Sequence, residues 1–79
     1  MPRPKTRFAD GRIRSFPSVS KSLQAAFDSL TGIENGRSVE VRNRAGKVVL
    51  RCWKAICSSD PDLNGKIQWM TFERLPAGW

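Results

Sequence analysis

The stretch "VEVRNRAGKVVLRCWK", Val39 to Lys54, decides how this chain is read. Apolar and charged residues alternate on both sides of Ala45-Gly46, the pattern of two half-buried β-strands joined as a hairpin. With Ala45-Gly46 as a two-residue loop, Arg44 faces Lys47, Arg42 faces Val49, and Glu40 faces Arg51. These residues share one side of the sheet with Trp53. The other side takes Val39, Val41, Val48, Leu50, Cys52 and Ile56, an almost wholly apolar set. A slip of one residue mixes the two sides, which a sheet with one buried face resists. One cost remains, because Arg44 and Lys47 are like charges beside the turn.

An apolar sheet face needs a cover, and "PSVSKSLQAAFDSLTG" supplies one. Val19, Leu23, Ala26, Phe27 and Leu30 recur at helical spacing and form a single apolar stripe. Ser18 or Ser20 can cap the start by accepting backbone N–H bonds, and Gly32 suits the left-handed turn past the end. Ser22 belongs to the helix surface, and Ile33 packs as the chain leaves. Downstream, "CSSDPDLNG" is a loop by its turn residues, and "KIQWMTFERL" is a third strand rich in aromatic and β-branched residues. Ile67, Trp69 and Thr71 lie on one side of it, with Gln68, Met70 and Phe72 on the other.

The N-terminus is different. Residues 1–7 hold two prolines and three cations, and read as a basic arm ahead of a single domain over 8–79. Asp10-Gly11 suits a tight turn, with Phe8, Ile13 and Phe16 as anchors to the core. The expected fold is therefore α+β. A three-stranded antiparallel sheet, or a four-stranded one with an N-terminal strand, carries one amphipathic helix packed on one face.

Length and composition bound the rest. Seventy-nine residues make one small domain, burying only about 60–65% of its unfolded surface. No run approaches the ~18 apolar residues that span a bilayer, and no apolar segment follows the basic start, so neither a membrane span nor a secretory signal is expected. A cytoplasmic, reducing setting fits the cysteines. Cys52 and Cys57 fall on opposite sides of one strand and cannot bridge each other there. Two cysteines without a histidine cannot build a four-ligand zinc site within one chain. Free thiols are expected, with Cys52 in the core.

The net charge is +7 and is unevenly placed. Residues 1–14 carry +4 and residues 37–54 carry +5, while 15–36 and 55–79 each carry −1. Clustering of this kind attracts polyanions. Arg42, Arg44, Lys47 and Arg51 can neutralise phosphates, with Arg3, Lys5, Arg7, Arg12 and Arg14 of the N-terminal region beside them. Trp53 among them offers a base a surface to stack on, worth about 1–3 kcal/mol per base. The competing account is a solvated basic face with Trp53 covered by the N-terminal segment.

Other chemistry has little to work with. Asp60, Asp62, Asn64 and Gly65 match the first half of a calcium loop, but the closing glutamate position is Thr71, and the residues are ordinary for a turn. With no histidine and no tyrosine, and seven scattered carboxylates, general acid–base work falls to lysine, cysteine or the Asp60/Asp62 pair. A small basic ribonuclease is the one enzyme class left open. The expectation is a non-enzymatic protein without cofactor or metal. Trp69 and Phe72 are expected in the core, and Trp79 as an anchor in a protein partner's pocket.

Two functions follow. The first is binding of nucleic acid, single-stranded DNA or RNA in preference to duplex, because the one helix carries only Lys21 and has no basic face for a major groove. The second is a protein-interaction module, such as a small phage-encoded accessory protein or inhibitor that docks on an acidic surface of a larger host or virion protein. A free sheet edge also invites a homodimer.

Overall fold

The structure, a computed structural model, describes residues 2–30, 37–55, 62 and 65–79. The expectations for Gly32, Ile33, Ile56, Cys57, Asp60 and Asn64 lie outside those residues. The elements are β1 (Lys5–Arg7), β2 (Ile13–Ser15), α1 (Val19–Leu30), β3 (Val39–Arg42), β4 (Val48–Lys54) and β5 (Ile67–Thr71). The class is α+β as expected, with one helix and an antiparallel sheet. The sheet has five strands rather than three or four, in the order β2-β1-β3-β4-β5.

The additional strands come from the N-terminus. Lys5–Arg7, read from sequence as part of an arm, is an inner strand with β2 on one side and β3 on the other. Pro4 and Thr6 are fully buried there. The Thr6 hydroxyl donates to the carbonyl of Ser22 at 2.8 Å, which satisfies a polar group that a buried strand position would otherwise leave unpaired. Ser22 is therefore buried against β1 and not on the helix surface. Its own hydroxyl finds no partner among the described residues.

Helix and hairpin form the core. Ser18 Oγ caps α1 by accepting from the Lys21 N–H at 3.2 Å. Leu23, Ala26 and Leu30 pack on Val39, Val41, Leu50 and Cys52. Phe27, Val19, Ile67 and Leu75 close the margins of this cluster.

The β3–β4 hairpin differs in detail. Asn43 N–H donates to the Lys47 carbonyl at 2.9 Å, and Gly46 N–H to the Asn43 carbonyl at 3.0 Å. The loop is thus three residues, Arg44-Ala45-Gly46, and Arg42 faces Val48 instead of Val49. The Asn43 side chain sets this length by accepting from the N–H groups of both Ala45 and Lys47. Gly46 takes the left-handed conformation, φ +86°, that closes such a loop. A bulge then leaves Val49 extra and restores the expected pairing of Glu40 with Arg51. As a result Val49 is buried and Val48 only half-buried. The expected Arg44–Lys47 clash is avoided, since Lys47 stands opposite Asn43. The β1–β2 hairpin repeats the design, with Ala9-Asp10-Gly11 as its loop and Gly11 at φ +91°.

Among the described residues no helix is long and apolar enough to cross a membrane.

Candidate nucleic-acid interface

The helix covers one face of the sheet, and alternation places the side chains of every second strand residue on the other. Across that open face the register aligns Ile13, Arg7, Glu40, Arg51 and Met70 in one row over all five strands. A second row runs Ser15, Lys5, Arg42 and Val48. Strand order therefore brings Lys5 and Arg7 directly beside the hairpin cations.

Glu40 organises the centre. Its carboxylate accepts from Arg51 at 2.8 Å and from Arg42 at 3.2 Å. The side chain is only 15% exposed, yet the hydrogen bond from Arg51, followed by that from Arg42, holds its carboxyl below the ordinary range against the opposing effect of burial. Arg42 also donates to the Gly46 carbonyl at 3.0 Å. Arg51 lies 5.9 Å from the centre of the Phe72 ring. Two of the cations singled out from sequence are thus held in place by neighbours.

The others converge. Arg3, Lys5, Arg7, Arg42 and Arg44 line a concavity of about 330 Å³ at the Arg44 end of the hairpin, with Pro2 and Ile13 as apolar walls. No carboxylate lines it. Arg3, Lys5, Arg7 and Arg44 have no ion-pair partner among the described residues. Such a hollow concentrates positive potential and suits a phosphate.

Five expected residues, Arg12, Arg14, Lys47, Arg51 and Trp53, do not join the concavity's lining. Arg12 is bound to Asp10 in the β1–β2 turn at 2.6 Å. The Arg12 backbone N–H does most to lower the Asp10 carboxyl. Arg14 stands opposite Thr6, so it faces the helix side, with its guanidinium 5.4 Å from the Phe16 ring. Lys47 is exposed beside the loop. Trp53 lies on the open face, half-buried and at the far end of β4 from the concavity. The N-terminal segment does not flank it, because β3 separates β1 from β4.

The aromatics correct the expectations most. Trp69 is 58% exposed and Phe72 51%, so neither is a core residue, and Ile13 is exposed as well. β5 is an edge strand, and an edge leaves both of its sides thinly covered. Phe72, which sequence reasoning assigned to the core, projects onto the open face beside Arg51. On the helix side Phe27 meets Trp69 edge-on at 6.0 Å and stacks flat on Trp79 at 5.9 Å. A turn through Gly78, with Trp79 N–H donating to the Pro76 carbonyl, brings the terminal tryptophan back to the helix. Trp79 remains 46% exposed.

The Cys52 thiol is buried, free and pushed up to about 12 by that burial, so it is no nucleophile at neutral pH. Among the described residues no cluster of acidic, cysteine or histidine side chains could hold a metal ion. Comparison with protein-family models, with curated proteins and with solved structures finds no match to this chain.

Proposed function

We propose that this protein binds nucleic acid without acting on it chemically, and that single-stranded DNA or RNA is its ligand. The observation that carries this is the concavity lined by five cations and no carboxylate. A phosphate seated there is neutralised by Lys5, Arg7 and Arg44, whose charges no described carboxylate claims, with gain from released counterions. The strand then runs over the open face toward Phe72 and Trp53, on which bases stack. A flat sheet with exposed rings accepts unpaired bases, whereas a duplex hides its base faces.

A second reading rests on a separate observation. Trp69 and Trp79 flank a hollow of about 570 Å³ on the C-terminal side, and exposed tryptophans often anchor protein interfaces. On that reading the chain is an accessory or inhibitory protein that docks on a larger partner.

A fluorescence titration with single-stranded DNA, RNA and duplex DNA, at low and near-physiological salt, tests the choice. Binding of single strands in the micromolar range or tighter is expected, weakening steeply with salt. Tryptophan quenching is expected to vanish in Trp53→Phe, because Trp53 is the tryptophan on the open face. Absence of binding even at low salt overturns the proposal and leaves the protein-docking reading.

A further inference from the structure

The two edges of the sheet are finished differently. β2 is three residues long, with Arg14 at its centre and Arg12 just before it. β5 runs Ile67-Gln68-Trp69-Met70-Thr71, without a charge or a proline. Natural sheets protect a free edge by keeping it short or by placing charge or proline on it. β5 has none of these, and both Trp69 and Met70 are more than half exposed.

Flanking hydrogen bonds fix which main-chain groups β5 leaves over. Ala55 N–H donates to the Lys66 carbonyl at 2.9 Å, and Phe72 N–H to the Val49 carbonyl at 2.8 Å. An antiparallel ladder alternates, so Gln68 and Met70 turn their N–H and C=O groups toward β4. Ile67, Trp69 and Thr71 turn theirs outward, away from the sheet.

We propose that β5 pairs with β5 of a second copy of this chain, antiparallel about a two-fold axis at Trp69. The outward set is symmetric about that residue. Ile67 then lies opposite the second copy's Thr71, Trp69 opposite the second copy's Trp69, and every outward group finds a partner. A two-fold contact closes on itself and exposes no new edge. Charge favours this edge over the other. β5 itself holds no charged residue, whereas β2 is centred on Arg14, so the copies meet at the edge where repulsion is less. The two Trp69 rings lie side by side on the helix faces, next to the hollow that Trp69, Thr71 and Trp79 line.

The two-fold stands perpendicular to the sheet, so both open faces point the same way. The dimer is a ten-stranded platform. Its two basic concavities lie about six strand spacings apart across the sheet, roughly 29 Å if the sheet is taken as flat, and on opposite sides of the axis along the strands, because Arg42 lies beyond the level of Thr71 as counted from Trp69.

Sedimentation of the full chain from micromolar to submillimolar concentration tests this. A concentration-dependent dimer is expected. Thr71→Pro removes an N–H that the single chain does not use, and proline is tolerated at an edge for that reason. Trp69→Lys places a charge at the axis, beside its own copy. Each change is expected to raise the dimer dissociation constant at least about tenfold while circular dichroism stays that of the parent. Using both keeps the test decisive if one variant folds poorly. A parent that sediments as a monomer throughout overturns the proposal, as does a dimer that both variants leave intact.

Discussion

Lys5, Arg7 and Arg42 stand on regular strands of the open face, next to the Arg44 loop. Phe27, Trp69 and Trp79 gather on the helix side, toward the opposite edge. Both regions are exposed, but they are held by different physics. Lys5 and Arg7 are placed by strand register, Arg42 by its register together with Glu40 and the Gly46 carbonyl, and nothing in the core depends on them. The two tryptophan rings each rest on Phe27, a helix residue that borders the core. On the basic side the exposed side chains add little to stability. On the aromatic side the exposed rings are also part of what holds the fold together.

The sharpest way to break that contrast is to strip the concavity. The triple change Lys5→Ala/Arg7→Ala/Arg44→Ala removes three cations without cutting a described hydrogen bond or ion pair. Affinity for single-stranded DNA should fall about 100-fold at low salt, and the salt slope by about 2, since each phosphate contact contributes roughly 0.7. Unfolding free energy should change by less than about 1 kcal/mol. Filter binding at several salt concentrations and a urea titration check the two halves. A triple variant that still binds, or that loses much more stability, removes that contrast.

Trp79→Ala is the reciprocal change. It deletes a ring stacked on Phe27 at 5.9 Å and should cost about 1–2 kcal/mol of stability, read by urea unfolding. DNA affinity of the folded variant should stay within about twofold of the parent. Loss of DNA binding in a folded Trp79→Ala protein would move the interface to the helix side.

What could be read from the sequence follows the same division. Alternation in β3 and β4 separates Val39, Val41, Leu50 and Cys52 from Glu40 and Arg51, and burial enforces it. Helical spacing does likewise for Leu23, Ala26 and Leu30. The loop length was not legible, because a three-residue loop and the bulge at Val49 offset each other, leaving Glu40 opposite Arg51 either way. Nor was β1. Lys-Thr-Arg buries one threonine, and its place between β2 and β3 is a long-range pairing that local pattern does not encode. The concavity exists only because of that pairing, so its cations could be named but not gathered. Phe72 and Trp69 were assigned inward on hydrophobicity, which says nothing of whether a strand is at an edge.

Glu40 lies between the two kinds of region and gives the smallest predicted effect. It is a lone carboxylate in the open-face row, and it ties Arg42 and Arg51 in place. Glu40→Gln frees both guanidiniums and adds one net positive charge, so DNA binding should tighten about threefold at low salt and by less once salt screens the face. Stability should fall by about 0.5–1 kcal/mol, the range of a partly exposed ion-pair network. The pH dependence fixes the cause. A carboxyl lowered from 4.5 contributes its stabilisation above that value and loses it as the pH falls through the lowered one. The parent's advantage over Glu40→Gln should therefore be full at about pH 7 and shrink progressively as the pH falls below 4.5 and through the lowered value, read by urea unfolding of both proteins. An advantage that persists in acid would assign Glu40's contribution to packing, and the row across the open face would then be set by shape and not by charge.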